Sequence, residues 1–133
     1  MNIDKYLNEV SKIDSKIANK INELNMWREI AQGIGGTSDG ERVQSNGISR
    51  KIENAVIKCV ETEKEIDRLT QEKALFINRI EQLPKRYYDI MHKLYLEGYS
   101  LKAYALEYKS KYTNATSTHS RAKRLLRKVI LEE

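Results

Sequence analysis

Asn114, Ser117, Arg121, Arg124 and Lys128 follow one another at alternating intervals of three and four residues. That spacing lines side chains along one face of a helix. Between Lys109 and Lys128 there are seven Lys and Arg residues and no Asp or Glu. A helix face of this kind suits the major groove of duplex DNA, where arginine can bond guanine and asparagine adenine through paired hydrogen bonds. Asn114, Ser117 and Arg121, with Thr116, Thr118 or Ser120 beside them, are the candidates for reading base edges. Lys109, Lys111, Lys123, Arg124, Arg127 and Lys128 are the candidates for phosphates, a kind of contact whose affinity falls steeply with salt. His119 could face either way. The plain alternative is a solvated basic helix with no ligand.

Other chemistry-bearing residues give weaker patterns. Gly33-Ile34-Gly35-Gly36 hints at a phosphate loop, but no strand precedes it and no Gly-Lys-Ser/Thr follows, so a connector is expected. Glu61, Glu63, Glu65 and Asp67 alternate with Lys58, Lys64 and Arg68, the ordinary dress of a solvated helix; a metal would need ligands from elsewhere. His92 with Tyr88 or Asp89 forms no nucleophile–base–orienter set, so neither a catalytic site nor a cofactor is expected. The tyrosines could stack on single-stranded bases, though their helical spacing favours a core role. Cys59 lies in an apolar seam and reads as a small buried hydrophobe. Two histidines and one cysteine, far apart, do not make a structural zinc site.

The charge that surrounds the basic face is unevenly shared. Residues 1–83 carry 13 Lys and Arg against 14 Asp and Glu, whereas residues 84–133 carry 11 against 5. All of the net +5 excess therefore lies in the C-terminal part, as expected where one end meets a polyanion. The chain of 133 residues allows one ordinary domain, or a small domain with an extended appendage. No apolar run is long enough for a membrane span, and the charged start MNIDKYLNEV lacks the apolar stretch of a secretory signal. The single cysteine excludes an internal disulfide framework and fits a reducing cytoplasm.

Long helices are expected to carry the module. Ile3, Leu7, Val10, Asp14, Ile17, Ile21, Leu24, Arg28 and Ala31 alternate at four and three, predicting one amphipathic helix over 3–31. Asp14 and Arg28 interrupt that seam or lie at its edge. Residues 32–47 hold five glycines and the turn signals Ser38-Asp39-Gly40 and Asn46-Gly47, predicting a mobile connection. A second seam runs unbroken through Ile48, Ile52, Ala55, Cys59, Thr62, Ile66, Leu69, Lys73, Phe76, Ile80 and Leu83. Neither helix can bury its stripe alone. An antiparallel, coiled-coil-like hairpin over 1–83, self-association into a larger bundle, or both, would bury them.

Leu83-Pro84 ends this stretch, since proline restricts its predecessor and starts helices well. Seven of the eight tyrosines then fall between 87 and 112, marking a compact second module over 84–133. Three helices are expected: 85–97, closed by Gly98; 101–109, capped by Ser100; and about 114–131, capped by Thr113 or Asn114. The inward residues of the second would be Leu101, Tyr104, Ala105 and Tyr108. Ala115, Ala122, Leu125, Leu126, Val129 and Ile130 would be the core face of the third, small where it approaches its neighbour. The expected fold is thus all-α, a helical hairpin followed by a three-helix helix-turn-helix domain.

The segment IEQLPKRYYDIMHKLYLEGYSLKAYALEYKSKYTNATSTHSRAKRLLRKV resembles region four of bacterial sigma factors and related phage regulators. Shared features are Leu83-Pro84, Glu97-Gly98-Tyr99-Ser100, Ser120-Arg121-Ala122 and Leu126. The chain departs from that pattern at Ala103-Tyr104-Ala105, at Lys109, where glycine is common, and at Thr118. With its helical start and its SDGERVQSNG loop, the whole chain looks like small phage and prophage regulators of Gram-positive bacteria, near the ArpU and RinA types. The resemblance implies sequence-specific binding of double-stranded DNA in phage transcription, within a bacterial host cell; the expectation of a homodimer or higher homo-oligomer comes from the hairpin, and that of the cytoplasm from the single cysteine. An adaptor docking on host RNA polymerase, and a helical assembly protein with an incidental basic tail, are the alternatives.

Overall fold

The structure, a computed structural model, describes residues 1–33 and 45–133. Six α-helices, and no strand among the described residues, make up the fold. They are α1 (Ile3–Ser11), α2 (Ile13–Ala31), α3 (Ser45–Ile80), α4 (Lys85–Tyr95), α5 (Leu101–Glu107) and α6 (Tyr112–Leu131). None of them is long and apolar enough to cross a membrane. Packing divides the chain into two compact units: Met1–Asp14 with Gln71–Glu133, and Ser15–Thr70. The composition changes at Pro84, but the packing does not divide there.

The helix expected over 3–31 is two helices. Lys12 closes α1, its N–H bonded to the Glu9 carbonyl at 3.2 Å, while the Ser11 hydroxyl donates to the Asn8 carbonyl at 2.7 Å. Such i to i−3 bonds tighten the last turn. The apolar stripe follows the tightening: it runs Leu7, Val10, Ile13, with an advance of three at the last step, and all three are buried. Asp14 is thereby left at the edge, exposed and paired with Lys73 at 2.8 Å. The side chain of Asn2 caps the start of α1 by accepting from the Lys5 N–H at 3.1 Å.

The second seam is buried or half-buried at every expected position from Ile48 to Leu83. Helix α3 itself starts at Ser45 and ends at Ile80, three residues earlier at each end than the periodicity predicts. Leu83 still reaches the core, through a turn in which its N–H bonds the Ile80 carbonyl at 3.0 Å. Most of the glycine-rich connection read over 32–47, including Gly35, Gly36 and Ser38-Asp39-Gly40, lies outside the described residues.

In the unit of Ser15–Thr70, Leu24, Ala55, Thr62 and Leu69 are buried. The Thr62 hydroxyl is satisfied by the Lys58 carbonyl at 2.7 Å. Arg28, expected in or beside the seam, is exposed at its edge and paired with Glu63 at 3.4 Å. In the other unit, α6 packs on α4 and α5, and α4 packs on α1 and α5. Phe76, Ile80, Ile90, Met91 and Leu126 are sealed from solvent, and Ala115 and Ala122 let α6 approach closely. Arg79 closes one side of this unit, donating to both carboxylate oxygens of Glu133 at 2.7 Å and to the Tyr6 hydroxyl at 2.9 Å.

Candidate nucleic-acid interface

Helix α4 ends at Tyr95, two residues before the expected limit, and the chain leaves through Gly98 at φ +80°. The Tyr99 N–H then bonds the Lys93 carbonyl at 3.0 Å. Ser100 caps α5 as expected, its hydroxyl accepting from the Ala103 N–H at 3.1 Å. The end of α5 comes early as well, at Glu107, for a reason visible in the backbone. Lys109 has φ +50°, the Ser110 N–H bonds the Ala105 carbonyl at 2.9 Å, and the Lys109 N–H bonds the Leu106 carbonyl at 3.2 Å. This is the Schellman closure, here built on lysine in place of glycine. Tyr108 is therefore carried outward, exposed, with its ring 4.4 Å from that of Tyr104.

The third helix begins at Tyr112, not at 114, with Lys111 in the extended N-cap position and no side chain capping it. Thr113 and Asn114 lie in the first turn; the Thr113 carbonyl accepts from the Thr116 hydroxyl at 2.8 Å. Neither α4 nor α6 has an acidic residue in its first turn. The partial positive charge of each N-terminus is thus reinforced by nearby cations, an arrangement that favours an anion.

Asn114, Ser117, Arg121, Arg124 and Lys128 are all exposed, opposite the buried Ala115, Ala122 and Leu126. Thr116, Ser117, Ser120, Arg121 and Arg124 line one shallow depression of about 280 Å³. Arg127 is exposed on a shoulder of the same helix, and Lys109 and Lys111 are exposed in the turn before it. Thr118 is half-buried. Lys123 is separated from this group: its ammonium is 3.0 Å from Asp4 of α1. His119 also faces the protein, stacked on Tyr95 with Nε2 2.6 Å from the hydroxyl.

Arg86 is the residue that the basic pattern of α6 does not reveal. Its guanidinium donates to the Tyr87 hydroxyl at 2.6 Å and lies 4.7 Å from the ring centroid. Burial pushes the Tyr87 phenol up, but Arg86 and Arg121 together outweigh it and hold the phenol below the ordinary tyrosine value. Two guanidinium groups from different helices therefore act on one hydroxyl, which extends the positive face from α6 to the start of α4. A signal was present in the sequence: Lys85-Arg86 directly after Pro84 sets two cations at a helix N-terminus, where the helix dipole disfavours them.

Outside this face, several other charged side chains pair with one another. Glu61, Glu63 and Glu65 pair with Lys58, Arg28 and Arg68 respectively. The His92 Nδ1 is 2.7 Å from Glu97, and Asp89 pairs with Lys85 at 3.2 Å. His92 and then Lys93 hold the Glu97 carboxyl below its ordinary value. A second depression, of about 300 Å³, is lined by Lys102, Ala105, Leu106, Ser110 and Tyr112, with Leu106 80% exposed. Comparison of the chain with protein-family models, with curated proteins and with solved structures gives no match.

Proposed function

We propose that this protein is a sequence-specific regulator of phage-type transcription, acting in the cytoplasm of a bacterial host. In this reading α5 and α6 work as a helix-turn-helix, with the N-terminal half of α6 in the major groove of duplex DNA. Asn114, Ser117 and Arg121 read bases, with Thr116, Thr118 or Ser120 adjoining. Lys109, Lys111, Arg124, Arg127 and Lys128, now with Arg86, hold phosphates. The long helices α2 and α3 form an antiparallel hairpin that brings two copies together, so that paired half-sites gain from avidity. No cofactor and no catalytic step belong to it.

One observation carries the reading: an exposed polar and basic stripe on α6 stands opposite a buried alanine-and-leucine face, with no acidic residue from Lys109 to Lys128. Neutralising phosphates is the strongest reason to collect such charge on one ordered helix. Selection from a random-sequence duplex pool at near-physiological salt tests it directly. Recovery of one motif, lost by the double substitution Arg121→Glu and Arg124→Glu, is the expected result. Unchanged specific affinity in that variant overturns the assigned face.

A second reading is favoured by the apolar depression at Leu106 and Tyr112, rimmed by Lys102. It would suit a protein partner such as host RNA polymerase, with DNA contact secondary. Polymerase capture that survives the two charge reversals would support it. A purely structural helical assembly protein would instead show no affinity for DNA at low ionic strength.

A further inference from the structure

Helix α3 buries one stripe and presents a second, quite different one on its other side. Arg50, Glu53, Ile57, Val60, Lys64 and Asp67 recur at alternating intervals of three and four, all within the unit of Ser15–Thr70. All six are exposed, Ile57 at 54% and Val60 at 48%. The four charged members form no ion pair among the described residues, whereas Lys58, Glu61, Glu63, Glu65 and Arg68 on the same helix do. Among the described residues, no ion pair accounts for the order of charges on this face.

That order reads cation, anion, apolar, apolar, cation, anion, and reversing it exchanges the sign of every charge. Laid antiparallel against itself, with a two-fold axis between Ile57 and Val60, the stripe becomes self-complementary. Arg50 then faces the partner's Asp67, Glu53 faces the partner's Lys64, and Ile57 faces the partner's Val60. A parallel pairing in register would set like charge against like at all four charged layers, a repulsive arrangement. An isologous contact of the antiparallel kind closes at two copies.

We infer that the Arg50–Asp67 face of α3 is a homodimer interface, in which the same face of a second copy docks antiparallel in this register. The inference rests on the self-association proposed above and supplies its surface, while needing no DNA contact. The stripe is about 26 Å long at 1.5 Å per residue. Two isoleucine–valine layers at its centre supply the apolar contact, and the charged layers on either side set register. So small an apolar centre gives a weak dimer, in the micromolar range and sensitive to salt.

Sedimentation equilibrium of the full chain, without DNA, at up to about 200 µM and low salt tests this. The expected result is a dimer for the parent chain and monomers for Glu53→Lys and for Lys64→Glu, each with unchanged helical circular dichroism. Mixing the two monomeric variants restores a dimer, because each layer of the mixed pair again joins opposite charges. Arg50→Glu and Asp67→Arg repeat the design should either of the first pair fold poorly. A parent chain that stays monomeric, single variants that dimerise like the parent, or a mixture that stays monomeric overturns the interface. A monomer that still selects a DNA motif would overturn this inference alone; a dimer with no DNA affinity would overturn only the DNA reading.

Discussion

The Tyr95 hydroxyl lies 2.6 Å from Nε2 of His119, and the two rings stack at 5.8 Å with their planes 30° apart. This contact ties α4 to the very helix whose opposite face is basic. Burial pushes the Tyr95 phenol up to about 12, so it stays protonated and donates to the neutral imidazole. Burial, and then the nearby Lys123 ammonium, lower the His119 value from its ordinary 6.5, with Asp4 opposing them.

Acid should therefore loosen the packing of α6 before it touches the carboxylates. The folded His119 value lies below the unfolded one, so the unfolded chain binds more protons in that window. Stability is full above the ordinary histidine value and falls as pH descends through the lowered one. Glu97 and Glu133 are also lowered, but from 4.5, and act further down. Thermal melts between about pH 7 and 5 should show a falling midpoint for the parent chain and a flatter profile for His119→Gln.

Lys109 stores strain in the turn between α5 and α6. Its φ of +50° brings its Cβ into the crowding that disfavours left-handed backbone, a cost of about 1 kcal/mol. Lys109→Gly should relieve it and, after the added freedom of the unfolded chain, stabilise by about 0.5 kcal/mol in urea denaturation. Lys109→Ala keeps the strain and should give no gain. Both variants remove one charge, so both should lower the salt dependence of DNA binding equally.

The cations on α6 and at its N-cap should fall into two classes. Lys111 and Lys128 are exposed and free of ion pairs among the described residues, so Lys111→Ala and Lys128→Ala should each reduce the slope of log affinity against log salt by about 1. Lys123 is held by Asp4 at 3.0 Å, so Lys123→Ala should leave that slope unchanged. Its effect should appear in stability instead, and adding Asp4→Ala should cost little more, as expected for two partners of one interaction.

The long-range frame was legible because period is a strong signal. Every seam position from Ile48 to Leu83 is at least half-buried, and the small-then-large face of α6 is the buried one. What escaped was local geometry set by backbone hydrogen bonds. The tightened turn at Ser11-Lys12 substitutes Ile13 for Asp14 in the stripe, and the Schellman closure at Lys109 ends α5 early and turns Tyr108 outward. The basic stripe was readable from spacing, whereas the fates of Lys123 and His119 were not. Both depend on α1 or α4 docking against α6, a contact between residues 119 and 24 positions apart.

Phe76 offers the test of whether that docking matters to the basic face. Its side chain is sealed from solvent, with the Tyr6 ring of α1 at 6.2 Å and the Tyr95 ring of α4 at 6.5 Å, nearly perpendicular to the latter at 78°. Edge-to-face pairs of this kind add to the area that the ring buries. Phe76→Ala should therefore cost about 3–4 kcal/mol, and Phe76→Leu, which keeps most of the volume, about 1.5 kcal/mol. Removing the ring also frees Tyr95, and with it the hydrogen bond that orients His119. Phe76→Ala should accordingly lose the acid-sensitive part of its melting profile while Phe76→Leu keeps it. Equal profiles in the two variants would mean that Tyr95 is positioned by α4 and α6 alone.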